Sequence, residues 1–378
     1  MTALDSRPAA SPGPGAATLP DPAPALALVK PAVRALAAYT LEAPAAPRKL
    51  NQNESPLDLP ADLKREILDR AASLAWQRYP PFAPERLTGL IGRRHGWVAD
   101  GVLVGNGSNE LIQASLAVLV GPGESVVAPS PTFALYRLLA GVMGGRYVGV
   151  PLGPEFGYDV DALVAAARRE VARVVVLNSP NNPTGSALPA GAVERLLAET
   201  GALIICDEAY QDFGGPSAVP LLARDARVIV LRTFSKAMGL AGLRFGYALA
   251  HPALIAELTK ARLPYNVNLI TLAAAELALE HADRFAERTR SVVAERDRFV
   301  AGLAAIPGIH PYPSAANFVL VRCDRLPAGA LFRRLVDEYG ILVRDVSSGP
   351  GLEQCLRISI GSREDMDAVL EALGRLLA

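Results

Sequence analysis

The chain has 378 residues, enough for two domains with a core each, and 51% of it is apolar, which excludes a disordered protein. Its 38 Lys and Arg balance 38 Asp and Glu, which argues against a chain-wide field for nucleic acid or an anionic membrane. Cys206, Cys323 and Cys355 lie far apart with no C-x-x-C, and the four histidines show no metal-ligand spacing, so free thiols and no metal are predicted.

Residues 1–28 are rich in Pro, Ala and Gly, a composition that predicts a disordered tail. The tail has no basic segment followed by an apolar core, so it does not read as a signal peptide. No later segment reaches the ~18 apolar residues of a membrane span. A soluble, cytoplasmic protein is expected. Residues 29–75 hold a short helix in "ALALVKPAVRALAAYTLEAP", a loop with Tyr39, and a second helix in "LPADLKREILDRAASLA". This segment is expected to join a smaller domain.

Between residues 76 and 270, apolar runs alternate with helical stretches. The runs are "ESVVAPS", "RYVGVPL", "RVVVLNSP", "ALIICDEAY" and "RVIVLRTFSK". Runs of this kind fit strands buried on both faces of a mostly parallel sheet between helices. Each of the last three ends in polar residues: Asn178 and the loop beyond it, Asp207, and Ser235 with Lys236. Open α/β sheets bind ligands at the carboxyl ends of their strands, so these residues are expected to converge on one cleft. From 271 to 378 a long helical stretch, broken somewhere, precedes short strands and helices that read as a smaller α+β domain.

Four stretches bear on chemistry, each open to a plainer reading. "VGNGSNELI" sets glycines before a helix, as a phosphate site requires, or is a turn capped by Ser108 or Asn109. "NSPNNPTG" (178–185) offers asparagine amides to a planar ligand, or is a proline-rich turn. Asp207 ends an apolar strand, where a carboxylate needs a cation or several donors, and a buried salt bridge would serve equally. Lysine occurs only at positions 30, 49, 64, 236 and 260. Lys236 sits among Phe234, Ala237, Met238 and Gly239, poor company for a solvated charge, with Ser235 beside it and Arg244 eight residues on.

In order and spacing, "NSPNNPTG", "DEAY" and "TFSKAMGLAGLRFGY" resemble the signature series of fold-type I pyridoxal-phosphate enzymes, the class I/II aminotransferases. "ALAAYTL", "LNQNESP", "QRYPPF", "GNGSNELI", "PTFALY", "ILVRDV" and "CLRISIG" are similar to the histidinol-phosphate aminotransferase family. The likeness runs from about Val29 to the C-terminus.

The resemblance implies an α/β fold-type I transferase in which Lys236 carries pyridoxal phosphate as a Schiff base and then acts as general base. Asp207 would pair with the ring nitrogen, and Asn182 and Tyr210 with the phenolic oxygen. Phe133 would stack on the ring, where many relatives have tyrosine. The phosphate would meet Ser108, Asn109, Ser235 and Arg244, with Tyr79 reaching in from the other subunit of a homodimer. Arg344, Arg357 and Tyr39 would hold the substrate phosphate, with Asn53 and Glu54 at the mouth of the cleft. For Arg344 an ion pair with Asp345 or Asp337 is the plainer alternative. The implied reaction is transamination between histidinol phosphate and 2-oxoglutarate, yielding imidazole acetol phosphate and glutamate. An aromatic amino acid aminotransferase or a pyridoxal-phosphate-dependent phosphoamino-acid decarboxylase could share the scaffold. A DNA-binding regulator of this fold is disfavoured, because the N-terminal extension holds no helix-turn-helix pattern.

Overall fold

The computed structural model describes residues 19–38 and 44–378, and these two stretches fall in two separate units. In the first unit, Ala23–Ala27 and Pro31–Arg34 are single helical turns, each with proline in its opening positions, where a missing N–H costs nothing. The turn Ala23–Ala27 falls within the tail that composition assigns to disorder. One predicted helix is thus two short ones.

The second unit begins with β1 (Arg48–Lys49). Seven strands then build the main sheet: β2 (Val102–Gly105), β3 (Ser125–Ser130), β4 (Arg146–Pro151), β5 (Val174–Asn178), β6 (Leu203–Asp207), β7 (Val228–Thr233) and β8 (Gly246–Ala250). Their spatial order is β2-β8-β7-β6-β5-β3-β4. The neighbours from β7 to β4 run parallel, while β8 is antiparallel to both β2 and β7. The five apolar runs are β3 to β7 as predicted. Strand β8 escapes a sequence reading because three of the five residues of "GYALA" are Gly or Ala and none is β-branched, a weak strand signal that its buried place in the sheet overrides. The two faces of the sheet are packed by separate apolar clusters, in keeping with strands buried on both sides.

The long helical stretch breaks at His281, between helices Leu269–Glu280 and Ala282–Ala304. Beyond it, β9 (Ile309–Pro311), β10 (Phe318–Cys323), β12 (Arg344–Asp345) and β13 (Cys355–Ser359) form an antiparallel sheet in the order β12-β13-β10-β9. Strand β11 (Ile341–Leu342) pairs in parallel with β1, which ties the start of the unit to its end. Leu50 accordingly belongs to the second core, with Val292 and Phe318. The helix Ala61–Ala72 does not follow it. Leu63 and Ile67 pack with Leu272 and Leu277 into the core of the main sheet, so part of 29–75 and the helix just after residue 270 lie on the opposite side of the predicted boundaries. Cys206, Cys323 and Cys355 are buried free thiols. Among the described residues no helix is long and apolar enough to cross a membrane.

Candidate active site

The carboxyl ends of β5, β6 and β7 open onto one cavity of about 550 Å³, lined among others by Asn178, Asp207, Thr233, Ser235 and Lys236. Register makes this convergence direct, since Asn178 lies opposite Asp207 on the neighbouring strand. Lys236 is half-buried, and its Nζ donates to the Gln52 carbonyl at 2.9 Å and lies 5.7 Å from the Tyr210 ring centroid. Burial, then the nearby charge of Arg357, with smaller contributions from Arg244 and Lys49, pushes its pKa down to about 7, against an opposing pull from Glu54. An amine in that range is available as a nucleophile or base at neutral pH. That excludes an ordinary solvated lysine.

Asp207 is 3% exposed. Two donors hold it, and neither is a cation: the Tyr136 hydroxyl at 2.6 Å and the Ala209 N–H at 3.1 Å. Burial raises its pKa and both hydrogen bonds oppose the rise. The Asn178 side chain donates to the Asp207 carbonyl at 3.1 Å and accepts from the Asn182 N–H at 2.9 Å. The "NSPNNPTG" turn is thereby latched to the strand that carries Asp207. Tyr210 accepts from Asn53 Nδ2 at 2.9 Å. Phe133 lines the same cavity and meets Tyr136 edge-on at 5.6 Å.

A second group of residues forms a cradle. Helix Ser108–Leu119 starts after Gly107, whose backbone (φ 85°, ψ 160°) is open to glycine alone. A Cβ at Gly107 would stand 2.5 Å from Arg244 Nη2, so the bare backbone is what lets the guanidinium approach. Arg244 Nη1 donates to Ser235 Oγ at 3.3 Å. Ser108 and Asn109 occupy the first turn of the helix and make no cap, contrary to the plainer reading of "VGNGSNELI". Free N–H groups at a helix start, a serine hydroxyl and an arginine together suit a phosphate.

A third group comes from the small antiparallel sheet. Arg344 on β12 lies directly opposite Arg357 on β13, and both line the cavity. Arg357 donates to the Asn51 carbonyl at 2.7 Å and to Asn182 Oδ1, and its guanidinium stands 5.3 Å from the Phe318 ring centroid. Asp345 accepts from the Ser347 N–H and hydroxyl, not from Arg344. Asn53 is buried and bonded to Ser359 and Asn317 as well as Tyr210.

Two of the expected residues are absent from this chain's cavity lining. Glu54 pairs with Lys49 at 2.7 Å and does not line the cavity. Tyr79 stacks on Tyr265 at 4.5 Å, 79% exposed and outside the cavity of its own chain. Tyr39 lies outside the described residues. A sequence reading missed Tyr136, the carbonyls of Asn51 and Gln52, and the loop from Val346 to Leu352 along the rim. Tyr136 stands in the first turn of the helix Leu135–Met143, just after the Phe133 segment.

A near-neutral lysine, a buried carboxylate and an anion cradle at the strand ends of a mostly parallel sheet define an enzyme of amine chemistry. The family profile described as aminotransferase class I and II matches residues 48–373. A histidinol-phosphate aminotransferase of Chlorobaculum parvum is 40% identical over 349 residues, covering 92% of this chain and 98% of the relative. That of Chromobacterium violaceum is 41% identical over 350 residues, covering 92% and 97%. The crystal structure of histidinol-phosphate aminotransferase from Sinorhizobium meliloti in complex with pyridoxal-5'-phosphate superposes with a TM-score of 0.83 at 29% identity, covering 93% of this chain and 97% of that one. The chain belongs to the class I and II aminotransferases and, among them, to the histidinol-phosphate aminotransferase family.

Proposed function

We propose that the protein is a pyridoxal-phosphate-dependent aminotransferase that moves the amino group of histidinol phosphate to 2-oxoglutarate, giving imidazole acetol phosphate and glutamate in histidine biosynthesis. One observation carries the reading. The cavity holds two separate cationic grips, Arg244 at the helix cradle and the Arg344–Arg357 pair on the small sheet, as a phosphorylated cofactor and a phosphorylated substrate together require.

The residues fit pyridoxal phosphate. Arg244, Ser235 and the backbone around Ser108 and Asn109 would hold its phosphate in the space that Gly107 keeps clear. Asp207 would accept from the ring nitrogen, and Phe133 would cover a ring face. Asn182 gives its Oδ1 to Arg357, which leaves its Nδ2 to donate beside Tyr210 to the phenolic oxygen. The cofactor, when bound, supplies an aldehyde and a cationic ring that accepts the electron pair left at the substrate Cα. Lys236 would hold the cofactor through Nζ. Its neutral amine would also serve as the base that takes the Cα proton onto Nζ. Arg344 and Arg357 orient the substrate phosphate, with Tyr39 assigned to the same role. Asn53 fixes Tyr210.

The working form is a homodimer in the cytoplasm. Tyr79 and Phe82 both pack against Tyr265 while all three stay exposed, and exposed aromatic clusters of this kind support an interface; that patch is the candidate here. Tyr79 is absent from the cavity lining of its own chain and would serve the partner's cradle.

The test is the visible absorption of the protein loaded with pyridoxal phosphate, mixed separately with histidinol phosphate and with phenylalanine. Loss of the cofactor band at low histidinol phosphate, with glutamate formed from 2-oxoglutarate, is the expected result. A stronger response to phenylalanine would make this an aromatic amino acid aminotransferase with Arg357 on a carboxylate. Release of carbon dioxide would make it a decarboxylase.

A further inference from the structure

Behind Asp207, away from the cavity, stands a side chain to which none of the roles above is given. Tyr136 is wholly buried, and its hydroxyl donates to Asp207 Oδ2 at 2.6 Å while the Ala209 N–H donates to Oδ1 at 3.1 Å. Both carboxylate oxygens are thus fastened from the protein side. The lone pairs left over face the cavity, which Asp207 lines and Tyr136 does not. Burial and the Asp207 charge raise the Tyr136 pKa, so the phenol keeps its proton and serves only as a donor. The other titratable groups near the pair are the phenols of Tyr158 and Tyr210 and the Cys206 thiol. None of these brings a positive charge. The same ring meets the edge of Phe133 at 5.6 Å and 89°.

We infer that Tyr136 is a positioning residue that holds the Asp207 carboxylate ionised and aimed at the cofactor's ring nitrogen, while its ring supports Phe133. A buried carboxylate is costly without donors, and a hydrogen bond to a charged group is among the stronger ones. Without the hydroxyl, Asp207 Oδ2 loses its partner and the carboxylate is free to turn or to take up a proton. Phe133 carries no hydroxyl, so of the two aromatics in "PTFALY" only Tyr136 reaches Asp207. The inference rests on the reading of Asp207 as the ring-nitrogen partner.

The experiment uses Tyr136→Phe, which keeps the ring against Phe133 and removes one oxygen, alongside Asp207→Asn and the double variant. Three quantities are read: the dissociation constant of pyridoxal phosphate from the apo-protein by fluorescence titration, the pH profile of the loaded protein's absorption, and kcat separately from KM. Tyr136→Phe is expected to weaken cofactor binding roughly tenfold. It is also expected to shift the absorption profile and lower kcat, with KM for histidinol phosphate little changed. In the Asp207→Asn background the same change is expected to add little, since the two residues act as one unit. Wild-type affinity and profile in Tyr136→Phe, with Asp207→Asn strongly impaired, would overturn the inference alone. An unimpaired Asp207→Asn would instead bring down the reading of Asp207 itself. A measurement that does not depend on the variant's folding is the proton NMR spectrum of the native apo-protein. A slowly exchanging downfield hydroxyl signal that vanishes in Asp207→Asn supports the pair, and its absence overturns it.

Discussion

Arg344 and Arg357 face each other across the antiparallel pair β12–β13. Like charges directly opposite on a sheet repel. Arg357 is steadied by Asn182 and the Asn51 carbonyl, while the Asp345 carboxylate next to Arg344 is taken by Ser347. On the proposed function, the pair would take the substrate phosphate.

Arg344→Gln is expected to raise KM for histidinol phosphate roughly tenfold or more, the scale of one charge-assisted hydrogen bond. KM for phenylalanine should move far less, and the melting temperature should hold or rise as the repulsion is relieved. Steady-state kinetics with both amines checks this, and equal effects on the two would place the phosphate elsewhere.

The Lys236 pKa near 7 sets the pH dependence of cofactor capture by the apo-protein. The neutral amine is the reactive form, so the capture rate should climb up to about pH 7 and level off above it. Arg357→Gln removes a cation that depresses this pKa and should move the midpoint upward. Stopped-flow absorbance at a series of pH values reads both. The linkage has a fixed sign: between about 7 and the ordinary value of 10.5 the unfolded chain holds a proton that the folded chain has shed, so this group makes the apo-protein more stable as pH rises through that window.

Gly107→Ala places a methyl group 2.5 Å from Arg244 Nη2 on a backbone that only glycine adopts readily. A loss of about 1–3 kcal/mol in stability is expected from the backbone alone. Cofactor affinity should fall further than in Ser108→Ala, because Arg244 must retreat. Thermal melting and fluorescence titration separate the two effects.

If Tyr79 serves the partner's site, Tyr79→Ala and Lys236→Ala proteins should each be impaired alone and regain activity when mixed. A hybrid dimer carries one site with neither change. Failure of the mixture to recover, with sedimentation showing exchanged subunits, would assign Tyr79 to packing against Tyr265.

Legibility from sequence followed chemistry that announces itself locally. Lys236, Asp207 and Arg244 stand out because charged groups next to apolar strands demand a reason, and the fold brings all three to one cavity. Tyr136 did not stand out, because its role depends on a partner 71 residues away. The acceptors for Lys236 and Arg357 are backbone carbonyls of Gln52 and Asn51, which no side-chain pattern reports. Glu54 is a different case. Its hydrogen-bond partner is Lys49, five residues back, while its charge still reaches Lys236 in the cleft.

The pairing of β1 with β11, and the bond from the Asn53 N–H to Ser359 across 306 positions, fix the order in which this enzyme comes into being. Residues on either side of the Lys236 segment, far apart in the chain, must therefore meet before the walls around Lys236 are complete. The groups at the strand ends and the helix cradle all come from residues 107–244, whereas Arg344 and Arg357 come from the last strands, so the cavity is closed by contacts of long sequence separation.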